Sequence, residues 1–120
     1  MNMLTLGAAG IAVRSVAPHL VSKARDPAVV VVDELGRFAV PILSGHLGGA
    51  NDLAREIAGL LGGQAVLTTA TDARGIFAFD QWARRLGCAI PDPEKIRPVA
   101  SRMLAGGTAA FWSQWPVAGE

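Results

Sequence analysis

Apolar and amphipathic runs alternate along this chain, and turns rich in glycine or polar residues separate them. Residues 38–43 form an unbroken apolar run. In residues 50–61, which follow a glycine-rich turn, apolar side chains recur every three or four positions, as on one face of a helix. Gly62 and Gly63 end this pattern, because glycine readily adopts the left-handed conformation found after helices. The order predicts a strand, a tight turn and a helix.

The rest of the chain repeats this alternation. Four consecutive valines, residues 29–32, are dense enough for a strand buried on both faces. Gly36 predicts a tight hairpin turn leading into residues 38–43, and Pro41, which has no N–H, indicates a sheet edge or a bulge there. Further strands are predicted at 3–6, 64–67 and 108–112, and further helices at 11–17, 77–86 and 93–104, the last disturbed by Pro98 or split into two short pieces.

Strands that alternate with helices in this way define a fold class. We expect an α/β, three-layer-like domain with a mostly parallel sheet, one β-hairpin and flanking helices. A chain of 120 residues suits one such core. The domain is expected to span residues 1–112, with residues 113–120 as a tail.

Composition narrows the classes of function. The formal net charge is +1, and no basic run points to nucleic acid or to a membrane surface. No stretch of about twenty apolar residues predicts a transmembrane helix. Cys88 is the single cysteine, so no internal disulfide is expected and a reducing, cytoplasmic setting is predicted. His19 and His46 match no metal-ligand spacing, so we expect neither a metal bound by the protein nor a cofactor.

The turn at residues 44–51 is the strongest candidate for chemistry. Its three glycines let the backbone bend sharply, and the first N–H groups of the following helix carry the positive end of the helix dipole. Backbone N–H groups near residues 48–50 could therefore hold an anion or an oxyanion. His46 is the side chain in this turn that exchanges a proton near neutral pH. The turn could equally serve only to join a strand to a helix.

Two further loops also follow predicted strands. Residues 7–10 form a glycine turn before a helix that carries Arg14, and residues 68–72 are rich in hydroxyls and end in Asp72, which could cap the next helix. Ligands of parallel sheets gather at the carboxyl ends of the strands, so we expect all three loops to line one pocket that His46 faces. The candidate site residues are Gly10, Arg14, Ser44, Gly45, His46, Gly48, Gly49, Asn51, Thr68, Thr69, Thr71 and Asp72.

Two specific runs support a family resemblance. Ser-Gly-His-Leu-Gly-Gly-Ala-Asn at 44–51 and Thr-Thr-Ala-Thr-Asp at 68–72 stand in order after residues 9–14 and 26–33. Together they resemble the N-terminal domain of the cobalt-precorrin-5A hydrolase family, the CbiG-type proteins of cobalamin biosynthesis. The resemblance covers residues 4–111. Members of the family usually carry some tens of residues before this region and continue into a separate C-terminal domain.

The resemblance implies a hydrolase of anaerobic cobalamin biosynthesis. Its reaction would open the δ-lactone of cobalt-precorrin-5A with water and release acetaldehyde, giving cobalt-precorrin-5B, and the cobalt would be carried by the substrate. We hypothesise that His46 positions or deprotonates the water, with Asp72 as the second candidate base. The other candidate site residues would bind the corrinoid. Arg14, Lys23 and Arg37 are candidate partners for its carboxylates.

Three other functions stay open at this point. The domain could bind a corrinoid without catalysis and need a partner, such as a C-terminal CbiG-type domain or another cobalamin-pathway enzyme. A nucleotide or phosphate site is weakly supported, because the glycines match neither a dinucleotide nor a P-loop pattern. Trp112 and Trp115 could also form an interaction surface.

Overall fold

The computed structural model describes residues 2–116 of the chain. Its four strands are β1 (Asn2–Leu6), β2 (Ala28–Val32), β3 (Phe38–Leu43) and β4 (Gln64–Ala65). Its helices are α1 (Ala9–Val16), α2 (Ala50–Leu61), α3 (Ala70–Ala73), α4 (Phe79–Arg85) and α5 (Ile96–Leu104), and short 3₁₀ turns lie at Ala17–His19 and Pro93–Lys95. Within the described residues, no helix is long and apolar enough to span a membrane.

The strands form one sheet in the order β1-β2-β3-β4. β1 pairs with β2 and β3 pairs with β4 in parallel, whereas β2 and β3 form an antiparallel hairpin. The α/β fold class, the mostly parallel sheet, the single hairpin and the flanking helices are thereby confirmed.

The hairpin reverses the chain and gives the sheet two distinct ends. Leu6 and Ala39 both pair with Val32, whereas Leu43 pairs with Val29. The carboxyl end of β1 therefore lies at the same end as the β2–β3 turn, which we call the hairpin end. The carboxyl ends of β3 and β4 lie at the opposite end, which we call the histidine end. Three to four residues of strand separate the two ends, or roughly 10–13 Å.

Pro41 lies beside an irregularity in the hairpin. It is paired with Val30, and the register shifts between Val29 and Val30. Because proline has no N–H to donate, the regular ladder cannot continue through this position. The bulge that the sequence offered as one of two alternatives is confirmed.

The core lies between the sheet and α2. All five residues of β2 are buried, and three of them form one cluster with Ala39 and three alanines of α2. The cluster consists of Ala28, Val30, Val32, Ala39, Ala50, Ala54 and Ala58. These small side chains let the helix lie close to the sheet, and each fully buried valine contributes about 1.5–3 kcal/mol. Leu61, expected on the same stripe, is 53% exposed because it lies in the last turn, beyond the sheet.

Several predicted bounds differ from the structure. Residues 108–112 form no strand; Phe111 instead packs edge-on against Trp82, with ring centroids 5.3 Å apart. β4 keeps only Gln64–Ala65 of the predicted strand. The segment at 93–104 is two pieces, a 3₁₀ turn and α5, and Pro98 falls in the first turn of α5, where its missing N–H costs little. Part of the predicted tail, 117–120, lies outside the described residues, and the division at residue 112 stays a prediction.

Candidate active site

The turn between β3 and α2 is held together by its own backbone. The N–H of Gly49 donates to the carbonyl of His46 at 3.0 Å, that of Ala50 to Ser44 at 3.1 Å, and that of Asn51 to Gly45 at 3.0 Å. The N–H groups of Gly49 and Ala50 are therefore not available for the expected anion cradle, because they already donate to carbonyls within the turn, and the part of the expectation that concerns Gly48 stays a prediction. α2 begins at Ala50, and the residue at its N-cap is Gly49.

The glycines of this turn are required by close packing. A Cβ on Gly49, whose φ is +81°, would lie 2.7 Å from Cζ of Arg84. A Cβ on Gly45 would lie 2.8 Å from Oδ1 of Asn51, and one on Gly48 would overlap Ser44. The space that the glycines leave is thus taken by the protein's own side chains.

The imidazole of His46 lies between two carboxylates. Nε2 is 3.0 Å from Oδ2 of Asp72, and Nδ1 is 3.2 Å from Oδ1 of Asp80. The hydroxyl of Thr71 is 3.1 Å from Nε2. The three charged side chains are only 14%, 11% and 9% exposed. Hydrogen bonding to Asp80 raises the pKa of His46, burial opposes this, and Asp72 adds to the rise, so the charged imidazolium is favoured.

Asp72 is the most heavily bonded group of the site. Its Oδ2 accepts from the Thr69 hydroxyl at 2.5 Å and from Nδ2 of Asn51 at 2.9 Å, and its Oδ1 accepts from Arg55 at 2.6 Å. Burial alone would raise the pKa of Asp72, but the bonds from Thr69, His46 and Arg55 outweigh it and lower the pKa to about 2. A carboxylate with that pKa is a weak proton acceptor at neutral pH. Asp72 lies within α3 and does not cap α4, contrary to the expectation.

Asn51 ties α2 to the loop that contains Asp72. Its side chain is fully buried, and Nδ2 donates to both Thr69 and Asp72. Oδ1 of Asn51 has no hydrogen-bond partner within residues 2–116 and faces Gly45. The structure therefore gives Asn51 the position of a structural link behind the imidazole, out of contact with solvent.

Asp80 is the site residue that sequence reasoning missed. It lies in the first turn of α4 and is 6% exposed. The His46 bond lowers the pKa of Asp80 against the opposing effect of burial. A charged residue in a predicted amphipathic helix gives no sign of burial, and no motif includes it. A single signal was present in the sequence, since carboxylates are favoured in the first turn of a helix.

An ion-pair network holds α4 against α2. Asp52 accepts hydrogen bonds from Arg84, from Arg85 at 2.9 Å and from Arg55 at 3.0 Å. Burial would raise the pKa of Asp52, and these arginines lower it on balance. Because Arg55 also reaches Asp72, one network joins α2, α3 and α4 around His46.

A cavity of about 280 Å³ opens beside the imidazole. One part of its lining comes from the turn after β3, from the loop after β4 with α3, and from α4. The residues of this part are Gly45, His46, Thr69, Thr71 and Asp80. Its remaining wall is mostly apolar and comes from Phe77, Phe79, Ile96, Val99, Met103 and Leu104, with Lys23 and Arg97 also lining it. A second cavity of about 470 Å³ shares Lys23, Asp80 and Ile96 with the first.

Other predicted site residues lie outside this cavity lining. Gly48 and Gly49 belong to the packed turn, and Thr68 is exposed beside it. The hydroxyl of Ser44 donates to the carbonyl of Asp26 at 2.8 Å, which fixes the turn to the segment before β2.

The loops at residues 7–10, 44–51 and 68–72 were expected to line one pocket, and the last two do meet. The loops after β3 and β4 meet, because these strands are parallel neighbours. The turn at residues 7–10 lies at the hairpin end of the sheet, since β1 runs with β2 and against β3. Gly10 and Arg14 are therefore remote from His46, and so is Arg37, which lies in the hairpin.

The site places an imidazole with hydrogen-bonding partners at both nitrogens beside a small cavity with a mostly apolar wall, which Lys23 and Arg97 also line. In residues 2–116, no group of three or more His, Cys, Asp or Glu side chains is arranged to hold a metal ion. The fold and the site define an α/β domain with a histidine–carboxylate centre at one end of its sheet.

The chain belongs to the family described as "Cobalamin synthesis G N-terminal", which matches residues 1–72. The chain is 45% identical over 102 residues to a cobalt-precorrin-5A hydrolase of Salmonella typhimurium, covering 85% of this chain and 29% of that protein. It is 41% identical over 95 residues to the cobalt-precorrin-5A hydrolase of Priestia megaterium, covering 79% of this chain and 25% of that protein. The chain thus spans between a quarter and three tenths of the curated relatives it matches.

A solved structure supports the same assignment. The crystal structure of a cobalamin biosynthesis protein G homolog from Sulfolobus solfataricus superposes with a TM-score of 0.50 at 26% sequence identity. The match covers 96% of this chain and 36% of the homolog. The resemblance inferred from the two sequence runs is confirmed at the level of the family.

Proposed function

We propose that this domain takes part in hydrolysis of the δ-lactone of cobalt-precorrin-5A, with release of acetaldehyde and formation of cobalt-precorrin-5B, in anaerobic cobalamin biosynthesis. Family membership and the names of the curated relatives support the substrate. The observation that carries the proposal is the position of His46, whose imidazole faces the cavity between Asp72 and Asp80. Cobalt belongs to the substrate in this reaction.

Lactone opening requires two proton transfers. Water loses a proton as it attacks the carbonyl carbon, and the ring oxygen gains one as its bond to that carbon breaks. The imidazolium of His46 gives its proton to the departing ring oxygen, and the resulting imidazole takes the proton that the attacking water loses. His46 ends this step with the charge with which it began.

The direction of the His46 pKa shift favours this order of events. Hydrogen bonding to Asp80 raises the pKa of His46, burial opposes this, and Asp72 adds to the rise, so the charged form of the ring is favoured. This assignment adds the role of a general acid to the hypothesis that His46 positions or deprotonates the water. Activity limited by this acid falls as the pH rises through the raised pKa of His46, whereas activity limited by a base would rise.

The shape of the cavity fits the edge of a large substrate. About 280 Å³ holds a small ring with its substituents and leaves the rest of a tetrapyrrole outside. Lys23 and Arg97 line the cavity and can attract the carboxylates that such a substrate carries at its periphery. The apolar wall between them is suited to the face of the macrocycle.

The direct test is an acetaldehyde assay with cobalt-precorrin-5A. Release is followed by coupling to alcohol dehydrogenase and NADH, for the chain alone and with a C-terminal CbiG-type domain added. The His46→Gln variant keeps a polar side chain of similar size but cannot transfer protons. Glu34→Gln, at an exposed position of the hairpin end, removes a charge elsewhere and serves as the control. Unchanged acetaldehyde release by His46→Gln would exclude the proposed role.

A corrinoid-binding domain without catalysis is the alternative. The relatives' name describes proteins of which this chain matches 29% and 25%, so that name does not assign catalysis to this part of them. Titration with a cobalt corrinoid, followed by changes in its visible absorption, distinguishes the two functions. Binding without acetaldehyde release until a C-terminal domain is added would support the alternative.

A further inference from the structure

Asp80 has a different relation to His46 from that of Asp72. Its Oδ1 lies 3.2 Å from Nδ1 of the imidazole, its side chain is 9% exposed, and it lines both cavities. We propose, resting on the proposed function, that Asp80 is the positioning residue of His46: it holds the Nδ1 proton and so leaves Nε2 as the nitrogen that gives and takes a proton. No motif or family feature in the sequence singled out this residue.

The other bonds of the two carboxylates separate their roles. Asp72 accepts hydrogen bonds from Thr69, Asn51 and Arg55 in addition to its contact with His46. Its charge is therefore shared among four donors that join α2 to α3. Asp80 is bonded to His46 and to backbone N–H groups of its own helix, at Asp80 and Gln81. The imidazole is the side-chain partner of Asp80, and this leaves most of its charge for His46.

This difference decides where a neutral His46 keeps its proton. A neutral imidazole has one N–H, and the stronger acceptor retains it. A proton on Nε2 would be donated in a hydrogen bond to Asp72, which already accepts from three other donors. A proton on Nδ1 is donated to Asp80. The proton therefore stays on Nδ1, and Nε2, which lies 3.0 Å from Oδ2 of Asp72, accepts from the Thr71 hydroxyl at 3.1 Å.

The surrounding charges allow the effect of Asp80 to be isolated. Those that face His46 come from four parts of the chain: Lys23 before β2, Asp72 on α3, Asp80 on α4 and Arg97 on α5. Replacing Asp80 by asparagine removes one of the two negative charges and leaves both cations. The charged imidazolium is then less favoured, so the pKa of His46 falls.

Nitrogen NMR of the imidazole tests the proposal without reference to turnover. The chain has two histidines, so a His19→Gln variant assigns the His46 signals. In the wild-type chain at high pH, we expect a protonated Nδ1 and an unprotonated Nε2. In Asp80→Asn, we expect a lower pKa of His46 and a shift of the neutral proton toward Nε2. Glu34→Gln should leave both properties unchanged.

Kinetics supply the second readout. With cobalt-precorrin-5A, Asp80→Asn should lower kcat by on the order of 10²-fold, near the lower limit of what a positioned acid or base contributes, with KM changed by less than about threefold. Its pH–rate profile should move to lower pH with the pKa of His46. Asp80→Glu, which keeps a carboxylate, should recover part of the loss, and this remains a test if the asparagine variant folds poorly.

The outcomes separate the two proposals. A neutral wild-type His46 protonated on Nε2, or an Asp80→Asn variant with unchanged tautomer and pH–rate profile, would overturn the role of Asp80. If the NMR shifts occur as expected but the wild-type protein releases no acetaldehyde even with a C-terminal domain, the role of Asp80 stands and the proposed hydrolysis fails.

Discussion

The domain contains two turns that join a strand to a helix through glycines, and they differ in what surrounds them. At residues 7–10, Gly7 has a φ of +121° and Gly10 lies in the first turn of α1. Among the described residues, no non-local atom lies within 4 Å of the position of a Cβ on either glycine. At residues 44–49, by contrast, a Cβ added to any of the three glycines would lie too close to a side chain. The side chains are those of Asn51, Ser44 and Arg84. One turn is open to solvent, and the other is enclosed by the protein.

This difference shows that the strand–glycine–helix pattern does not by itself make a site. Both turns place a helix start after a strand, as ligand-binding turns do. The turn at 44–49 gains its chemistry from its neighbours, because the loop after β4 and the helix α4 bring a carboxylate to each nitrogen of His46. The turn at 7–10 has no such neighbours, since it lies at the hairpin end of the sheet.

The largest expected difference between the two turns is in activity. His46→Ala should reduce acetaldehyde release from cobalt-precorrin-5A by on the order of 10²–10⁴-fold, because it removes the group that transfers protons. Ser15→Ala, on the helix that follows the other turn, removes an exposed hydroxyl bonded to Ile11 and should leave kcat within about twofold. A single-turnover assay measures the activity of both variants. Equal losses of activity would contradict the expected difference between the two turns.

The next largest expected difference between the surroundings of the two turns is in the free energy of unfolding. Asp72→Asn puts an amide where Thr69, Asn51 and Arg55 all donate, so at least one buried donor loses its acceptor. We expect the free energy of unfolding to fall by about 2–4 kcal/mol. Urea denaturation measures this, with Glu34→Gln as an exposed control expected to stay within about 0.5 kcal/mol. An Asp72→Asn variant as stable as wild type would show that this network contributes nothing to folding.

Much of the fold could be predicted from local pattern. The four valines of β2, the hairpin with Gly36 at a φ of +67° and the bounds of α2 follow from periodicity and turn chemistry, which act over a few residues. The expected strand at 108–112 was wrong, because its apolar residues do not join the core: Phe111 is 58% exposed and Trp112 is 82% exposed. Phe111 instead contacts Trp82, 29 residues away in sequence, and a local pattern cannot predict such a contact.

The sequence could predict only those contacts of the site that follow from the order and direction of neighbouring strands. β3 and β4 are parallel neighbours, so the meeting of His46 with Asp72 follows from topology. The hairpin was itself predicted, and its reversal of direction is sufficient to place Gly10 and Arg14 at the other end of the sheet. Asp80 could not be found in this way, because the arginines of α4 that bind Asp52 set its position.

Exchange of glycine for alanine compares the turns directly. Gly49→Ala forces a left-handed φ of +81° on alanine and brings its Cβ 2.7 Å from Arg84, so we expect a loss of about 1–3 kcal/mol. Gly10→Ala meets no atom within 4 Å and lies inside α1, where alanine is the better helix former, so we expect a gain of up to about 1 kcal/mol. Urea midpoints measure both changes. A loss of similar size in both variants would mean that the two turns are equally constrained.

The smallest expected difference lies in how stability depends on pH. The folded pKa of Asp72 is about 2, below its ordinary value of 3.8, so its contribution is present above pH 3.8 and is lost as the pH falls toward 2. The folded pKa of His46 is raised, so its contribution is present below pH 6.5 and is lost as the pH rises through the raised pKa. Urea midpoints between pH 2 and pH 9 should show both losses in wild type.

Each loss can be assigned by one variant. Asp72→Asn should make the acid side of this pH profile shallower without flattening it, because the pKa values of Asp33, Asp52 and Asp80 are also lowered. His46→Gln should flatten the alkaline side. Gly10→Ala should displace the whole profile without changing its shape, because the turn at residues 7–10 contains no titratable side chain. A Gly10→Ala profile that changed shape would show that the turn at 7–10 is coupled to the histidine end, and the separation of the two ends of the sheet would then fail as an account of where the chemistry lies.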